Sequence, residues 1–279
     1  MRSLARSLLL AAALTVSSIS ALSFVASVEQ GGREVDASNL GFVPIPALSH
    51  GKHPSRSRYG RKERDTISYS SNWCGASQHS TRADPITNVF SFFTVPDLTL
   101  RPETPPPQFA AAWVGIDGAE CNSSLLQAGV TTIVNSNGGQ SASAWWEWYP
   151  EAAFNIDGLQ VRPGDWMTVN ITATDARSGT IVITNAQRGY SVTLVINNGP
   201  NLCRVDAEWI LEDFYDSGEQ VAFANFSQMW FVDAAATTAR GNNIGIDGAA
   251  MVHLQKDDGT ILCSAERYDN ANFVLTPHG

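Results

Sequence analysis

Between Trp166 and Thr174 the chain alternates strictly. Met167, Val169, Ile171 and Ala173 are apolar, and Thr168, Asn170, Thr172 and Thr174 between them are polar. A period of two puts the apolar set on one face of a strand and the polar set on the other; a helix would scatter both. Thr180–Thr184 and Ser191–Ile196 repeat the theme, with Asn185, Arg188 and Gly189 between them as turn residues. Short strands at close spacing, punctuated by Gly, Asn and Asp, specify stacked antiparallel sheets. No segment carries a helical stripe, and the four prolines of Pro102–Pro107 mark an extended loop. The expected fold is all-β, a β-sandwich of two antiparallel sheets.

The N-terminus has a different grammar. Arg2 and Arg6 precede a short apolar run, Leu8–Val16, and small residues follow at Ser20, Ala21 and Ser23. Such a run is a cleaved secretory signal, here residues 1–21, and is too short to span a bilayer. No later segment is apolar for long enough to do so, so no membrane partner is expected. Charge is also split. The chain has nine Lys/Arg up to Asp65 and nine beyond, where 22 Asp/Glu give a formal charge of 9 − 22 = −13. Six of the basic residues (Lys52, Arg56, Arg58, Arg61, Lys62, Arg64) fall in a run rich in Pro, Ser, Gly and His. That run is expected to be solvated and poorly ordered. Next to an acidic domain it suggests a basic propeptide, residues 22–66, that docks on residues 67–279. A basic arm can also bind nucleic acid, but secretion argues against that partner. An acidic, Lys-poor domain suits work in acid, where carboxylates protonate and self-repulsion falls.

Four cysteines, Cys74, Cys121, Cys203 and Cys263, lie in the domain. None is in a CxxC or His-paired spacing, so a metal site is not expected. Secretion favours disulfides, and three pairings are open.

Three segments could carry chemistry. In Ala144–Glu151 a strand would turn Trp145, Glu147 and Tyr149 one way and Trp146 and Trp148 the other. A carboxyl between two aromatics suits a cleft that grips an extended polymer; the plainer alternative is a packed strand with Glu147 at its solvent edge. In Ala207–Phe214, Glu208, Ile210, Glu212 and Phe214 share one face, and Ala207, Trp209, Leu211 and Asp213 the other. Two carboxyls four residues apart on a strand sit roughly 13 Å apart, so they are not a dyad with each other. A solvated acidic edge is the plainer alternative. In Ala111–Gly129, Trp113, Gly115 and Asp117 share a face, and Gln127 sits between Leu126 and Ala128. A buried amide needs partners; Gln127 is either a structural hydrogen bonder or an amide aimed at a substrate. GxSxG, HExxH and P-loop motifs are absent from the sequence, and the histidines usable in a Ser-His-Asp triad reduce to His79 and His253. Carboxyl, amide and aromatic groups remain.

SNWCGA (Ser71–Ala76), AWVGIDG (Ala112–Gly118), LLQAG (Leu125–Gly129), WWEWYPE (Trp145–Glu151) and CRVDAEWILEDF (Cys203–Phe214) come in this order. Together they resemble the glutamic peptidases called eqolisins, over about residues 70–214. The resemblance implies two long antiparallel sheets in a concanavalin-like jelly roll, and an acid endopeptidase without cofactor that cuts protein and peptide substrates. It implies a catalytic Glu/Gln pair, matching Glu212 rather than Glu208, and Gln127. Substrate-binding positions match Trp73, Asp117, Trp145, Glu147 and Tyr149. A family disulfide matches Cys121 and Cys203, which leaves Cys74 and Cys263 for a second. Family precursors carry a basic pro-segment, here expected as the enzyme's own inhibitor; a monomer is expected. Three positions depart from the family pattern: Ser143 replaces an Asp, Ala111 a hydroxyl residue, and Cys74 a Gly. The competing expectations are a carbohydrate-active sandwich, which also wants aromatics and paired carboxylates, and a non-catalytic adhesive β domain.

Overall fold

The computed structural model of the full chain describes residues 21–47 and 66–279. The expected signal, except for Ala21, and the basic run Lys52–Arg64 lie outside the described residues. The strands of the sandwich, numbered here in chain order, begin with β1 (Ser23–Gln30), β2 (Arg33–Val35), β3 (Gly41–Ile45), β4 (Thr66–Ser70), β5 (Trp73–His79) and β6 (Ile86–Thr94). Next are β7 (Gln108–Ile116), β8 (Leu125–Val134), β9 (Gln140–Tyr149), β10 (Ala153–Asp157), β11 (Trp166–Ala173) and β12 (Gly179–Asn185). The last are β13 (Tyr190–Asn197), β14 (Asp206–Glu212), β15 (Met229–Thr238), β16 (Ala250–Gln255), β17 (Ile261–Arg267) and β18 (Phe273–Pro277). The described residues contain a single 3-10 turn, Ala37–Asn39, and no α-helix.

Pairing resolves these strands into two layers. One runs β3–β10–β9–β8–β7–β14–β5–β16–β4. The other runs β17–β18–β15–β6–β11–β12–β13–β1–β2. Pairing of β16 with β17 makes the corner where the layers meet. All these ladders are antiparallel but one: β4 runs parallel to β16, from Ala250↔Thr66 to Leu254↔Ser70. A parallel pair needs a long crossover, and β4 and β16 are far apart in sequence.

The main core fills the space between the layers. Ala112, Val114, Ala128, Trp146, Trp148, Trp209 and Leu211 face it from the first sheet. Val89, Phe93, Val169, Ile171, Ile183, Leu194 and Phe231 face it from the second. A second apolar cluster lies on the other face of the first sheet, around Trp73, Ala111, Trp113, Leu125, Trp145, Ile210 and Phe214. The first sheet is thus covered on both faces, and all seven residues of β14 are buried. The Ala207–Phe214 segment is therefore a central strand, not a solvated edge. Cys74–Cys263 ties β5 to β17, and Cys121–Cys203 ties the loop after β7 to the approach to β14.

Strands also form within the expected pro-region, upstream of the basic run. β1 pairs with β13 over eight residues and β3 with β10 over five. Gly31 and Gly32, with φ of 59° and 74°, form the two-residue turn between β1 and β2, a conformation that suits glycine.

Candidate active site

The outer cluster of the first sheet is built by alternation. Trp145 faces it, whereas its neighbours Trp146 and Trp148 face the main core. Tyr149 packs against the same cluster. On β14, Ile210 faces the cluster, and Ala207, Trp209 and Leu211 face the core. Trp73 and Trp113 meet edge to face, with ring centroids 5.3 Å apart.

Glu212 ends β14, opposite Trp73 of β5 on one side and Ala111 of β7 on the other. Its two carboxylate oxygens have separate donors. Asn72 Nδ2 donates to one at 2.9 Å, and Trp113 Nε1 to the other at 2.8 Å. Asn72 is itself set by Ser70, whose hydroxyl donates to its amide oxygen at 3.0 Å. Two neutral donors fix the plane of the carboxylate.

Gln127 lies on β8, with β7 between it and β14. It pairs across the ladder with Glu147 of β9 and Gly115 of β7. Its amide Nε2 donates to Glu147 Oε2 at 2.5 Å, and both residues are fully buried. Gly115 is required by this packing. A Cβ there would lie 2.8 Å from Leu125, 3.0 Å from Trp113 and 3.3 Å from Gln127. The glycine leaves room for the Trp113 ring that reaches Glu212 and for the Gln127 stem.

Asp117 has a different kind of environment. It follows β7 with φ of 71°. Its oxygens accept backbone N–H groups of Arg204 and Val205, both at 2.8 Å, and of Asp206 at 3.4 Å. Asp206 in turn accepts N–H groups of Glu120 and Cys121 and bonds His79 Nδ1 at 2.8 Å. The two carboxylates tie together the loops that Cys121–Cys203 bridges. Asp117, Cys121 and Cys203 come close, but the thiols are consumed in the disulfide, so they are no metal donor set.

Burial sets the electrostatics around the dyad candidates. Glu208, fully buried in line with Gln127 and Gly115, is pushed well up by desolvation, with Asp206 and Asp117 adding to the rise. Asp117 is pushed up to about 6, mainly by burial, against the pull of its backbone donors. Asp213, next to Glu212 but on the other strand face, is pushed up to about 8 by burial and by the Glu212 charge. Burial alone would lower His79, but the hydrogen bond and charge of Asp206 outweigh it and raise it. A cavity of about 500 Å³ opens beside Asp213, lined also by Ser71, Tyr215 and Lys256. It does not lie over Glu212. Glu212, Gln127, Glu147, Trp73 and Trp145 are at most 1% exposed in the full chain.

The first sheet thus brings together Glu212, Gln127, Glu147, Trp73, Trp145 and Tyr149 on one face, and sets Asp117 at the end of β7 as a loop anchor. Two residues that sequence reasoning did not single out complete the Glu212 environment: Asn72, and Trp113 in the role of a donor. The signal for both was weak, an Asn just before a cleft Trp and an indole with no stated partner.

A two-layer β sheet carrying carboxylates, an amide and tryptophans on one walled face defines the class: a peptide-gripping hydrolase sandwich. Residues 71–276 match the Peptidase A4 family, and the chain belongs to it. Aspergillopepsin-2 of Aspergillus niger is 34% identical over 212 residues, covering 70% of this chain and 73% of that protein. Scytalidopepsin B of Scytalidium lignicola is 33% identical over 151 residues, covering 51% and 56%. The crystal structure of scytalido-glutamic peptidase with a peptide-based transition state analog superposes with a TM-score of 0.65 at 28% identity, covering 75% of this chain and 98% of that one. The protein is a glutamic endopeptidase, and the carbohydrate-binding and adhesive alternatives are set aside.

Proposed function

We propose that Glu212 and Gln127 are the catalytic dyad of a secreted, acid-acting endopeptidase. The observation that carries this assignment is the Glu212 carboxylate, whose two oxygens are oriented by Asn72 and Trp113 on the same sheet face as Gln127. Glu208, the nearest other acid to Glu212 on that face of β14, is held protonated by burial and so is no base in acid. An ionised Glu212 takes a proton from water as the water attacks the scissile carbonyl. An ordinary Glu titrates near about 4.3, so it still acts as a base where His is fully protonated. Gln127 donates an amide N–H to the oxyanion; an amide does not titrate and stays a donor at low pH. The hydrogen bond to Glu147 sets the rotation of that amide. Glu212 then returns its proton to the leaving amine, and no cofactor is needed. Trp73, Trp145, Glu147 and Tyr149 grip the extended substrate, and Asp117 contributes by holding the loop at the end of β7.

The N-terminal 21 residues direct secretion, and the two disulfides fit an oxidising compartment. The region 22–66 keeps the precursor latent: the burial of Glu212 and Gln127 in the full chain supports this, as does Ile45, which packs against the cleft cluster. The decisive measurement is casein or haemoglobin hydrolysis across about pH 2–7 by acid-treated protein, beside Glu212→Gln, with pepstatin and a chelator in parallel. Acid-only cleavage that ignores both inhibitors and vanishes in Glu212→Gln is expected. Full activity in a folded Glu212→Gln variant would remove Glu212 from the mechanism.

A further inference from the structure

The outer face of the second sheet lies on the far side of the molecule from the cleft face. Much of it belongs to four neighbouring strands, β6, β11, β12 and β13. None of the four contains an Asp, Glu, Lys, Arg or His. The chain beyond Asp65 carries 22 Asp/Glu, so this acidic domain keeps its charge off one broad surface. Hydroxyls, amides and rings take its place. The Thr184 and Ser191 hydroxyls meet at 2.8 Å, and Asn88 Nδ2 donates to the Thr172 hydroxyl at 2.9 Å.

The rings lie together. On β6, Val89 and Phe93 turn to the core, so Phe90 and Phe92 turn outward, edge to face at 5.3 Å. On β11, Met167 turns inward and Trp166 outward; on β15, Met229 and Phe231 turn inward and Trp230 outward. Trp166 is opposite Thr94. Phe231 is opposite Phe93, so Trp230 is level with Thr94 on its other side. The two tryptophans therefore share one row across three strands, about 10 Å apart at the backbone, with a small threonine between them. Trp166 is 39% exposed. Tyr268, 76% exposed, meets Trp230 edge to face at 6.0 Å.

Large rings left in the open on an acidic domain mark a contact surface. Charge selects the partner. In acid a protein substrate is cationic and is drawn to the carboxylates elsewhere on the surface, not to a face that has none. A neutral polymer has nothing to lose on that face. An indole covers the apolar side of a sugar ring, and Thr and Asn bond its hydroxyls. Along a β-1,4-linked glycan every second ring presents the same side of a straight ribbon, which suits two tryptophans in one row with a gap between them.

We infer that the outer face of the second sheet, centred on Trp166 and Trp230, binds an uncharged β-1,4-linked polysaccharide. The cleft opens on the opposite side, so the enzyme can cut protein while held on the polymer.

The test mixes the full chain carrying Glu212→Gln, which does not digest itself, with microcrystalline cellulose or with chitin in acid buffer. Depletion of the protein from solution by at least one of them is expected. High salt leaves the binding in place, because no charge takes part. Trp166→Ala weakens it about tenfold, as loss of an aromatic anchor does, and Tyr268→Ser weakens it less. With Glu212 intact, Trp166→Ala keeps the Tm and the rate of casein hydrolysis in solution, which separates this face from the cleft and from folding. No depletion by either polysaccharide overturns the inference, as does binding that salt abolishes or that Trp166→Ala leaves intact. Retention on a casein-coated resin instead, lost in Trp166→Ala, would make the partner a protein and overturn it as well. Asn170 faces the same way within Asn170-Ile171-Thr172, a glycan acceptor sequence. Binding by protein from a eukaryotic host only after Asn170→Gln would make the chain's own glycan the occupant, and that too would overturn the inference.

Discussion

The two sheets share one architecture and spend their side chains differently. On β11 and β12 every second residue is buried and the ones between stay partly open, as a sheet with one wet face requires. The wet face carries short polar ladders, such as Asn88 to Asn170 at 2.6 Å and Thr184 to Ser191 at 2.8 Å. On β14 no position is open: the core face is apolar, and the other face buries Glu208 and Glu212 among tryptophans. Carboxyls are buried at a cost in solvation, which is why Glu212 has two donors and why Glu208 is kept protonated. The sheet with alternation holds the fold; the sheet without it holds the chemistry.

The sharpest way to break this contrast is to truncate adjacent residues on β14. Ile210 and Leu211 are both fully buried, one on each face. Ile210→Ala and Leu211→Ala are each expected to cost about 2–5 kcal/mol, measured by denaturant unfolding. A near-neutral Ile210→Ala would mean that the cleft face is not packed. Next in size is Gln127→Ala, expected to lower kcat by about 10²–10³ with a smaller change in KM, as for loss of one oxyanion donor. A change confined to KM would make Gln127 a binding residue only. Gln127→Glu should be close to inactive, because a carboxylate would face the oxyanion.

Alternation made the assignment of faces legible in sequence. Trp145, Glu147 and Tyr149 separate from Trp146 and Trp148 by the strand period alone, and the structure keeps that division. The same rule sorted β14 into faces but left open whether its acids were wet, because burial of the second face depends on Trp73, Trp113 and Trp145 arriving from three other strands. Asp117 shows the same limit. The family resemblance implies a cleft residue, while its hydrogen bonds run to Arg204, Val205 and Asp206, nearly ninety positions away. The strands of the N-terminal segment were missed because edge pairing with β13 and β10 is likewise a long-range matter, and the glycine pair of the β1–β2 turn was the local clue.

The buried acids also set the direction of the pH dependence. Asp117, Asp213 and Glu208 all titrate higher in the folded chain than in the unfolded one. The folded state therefore keeps protons that the unfolded state has lost, and stability falls as pH rises between the two values. His79 is raised too, so its bond to Asp206 contributes below the ordinary His range and is lost above it. All four groups act in one sense. Through these groups Tm should fall from about pH 4 to about pH 8, while the lowered carboxyls of Asp84, Asp165 and Asp175 act in the opposite sense below about pH 4 and the lowered His253 does so below the ordinary His range. A Gln127→Ala background suppresses self-digestion and leaves the Glu212 charge in place. There Asp213→Asn should flatten the decline between about pH 6 and about 8, above the range in which Asp117 titrates. A Tm that rises from pH 4 to pH 7 would contradict the proton-keeping role of these groups.

The smallest effect belongs to the wet sheet and completes the contrast. Thr168 on β11 lies between buried Met167 and buried Val169, and points away from the core. Thr168→Ala leaves the core face untouched and is expected to shift stability by no more than about 0.5 kcal/mol, with kcat unchanged. Val169→Ala, one residue on, removes two methyl groups from the centre of the sandwich and should cost several times more. On β14 the corresponding neighbours, Ile210 and Leu211, should cost about the same as each other, because both faces of that strand are packed. Urea melts of the four variants read the comparison directly. Two unequal pairs would mean that β14 is an ordinary one-sided strand, and the buried setting claimed for Glu212 would lose its physical basis.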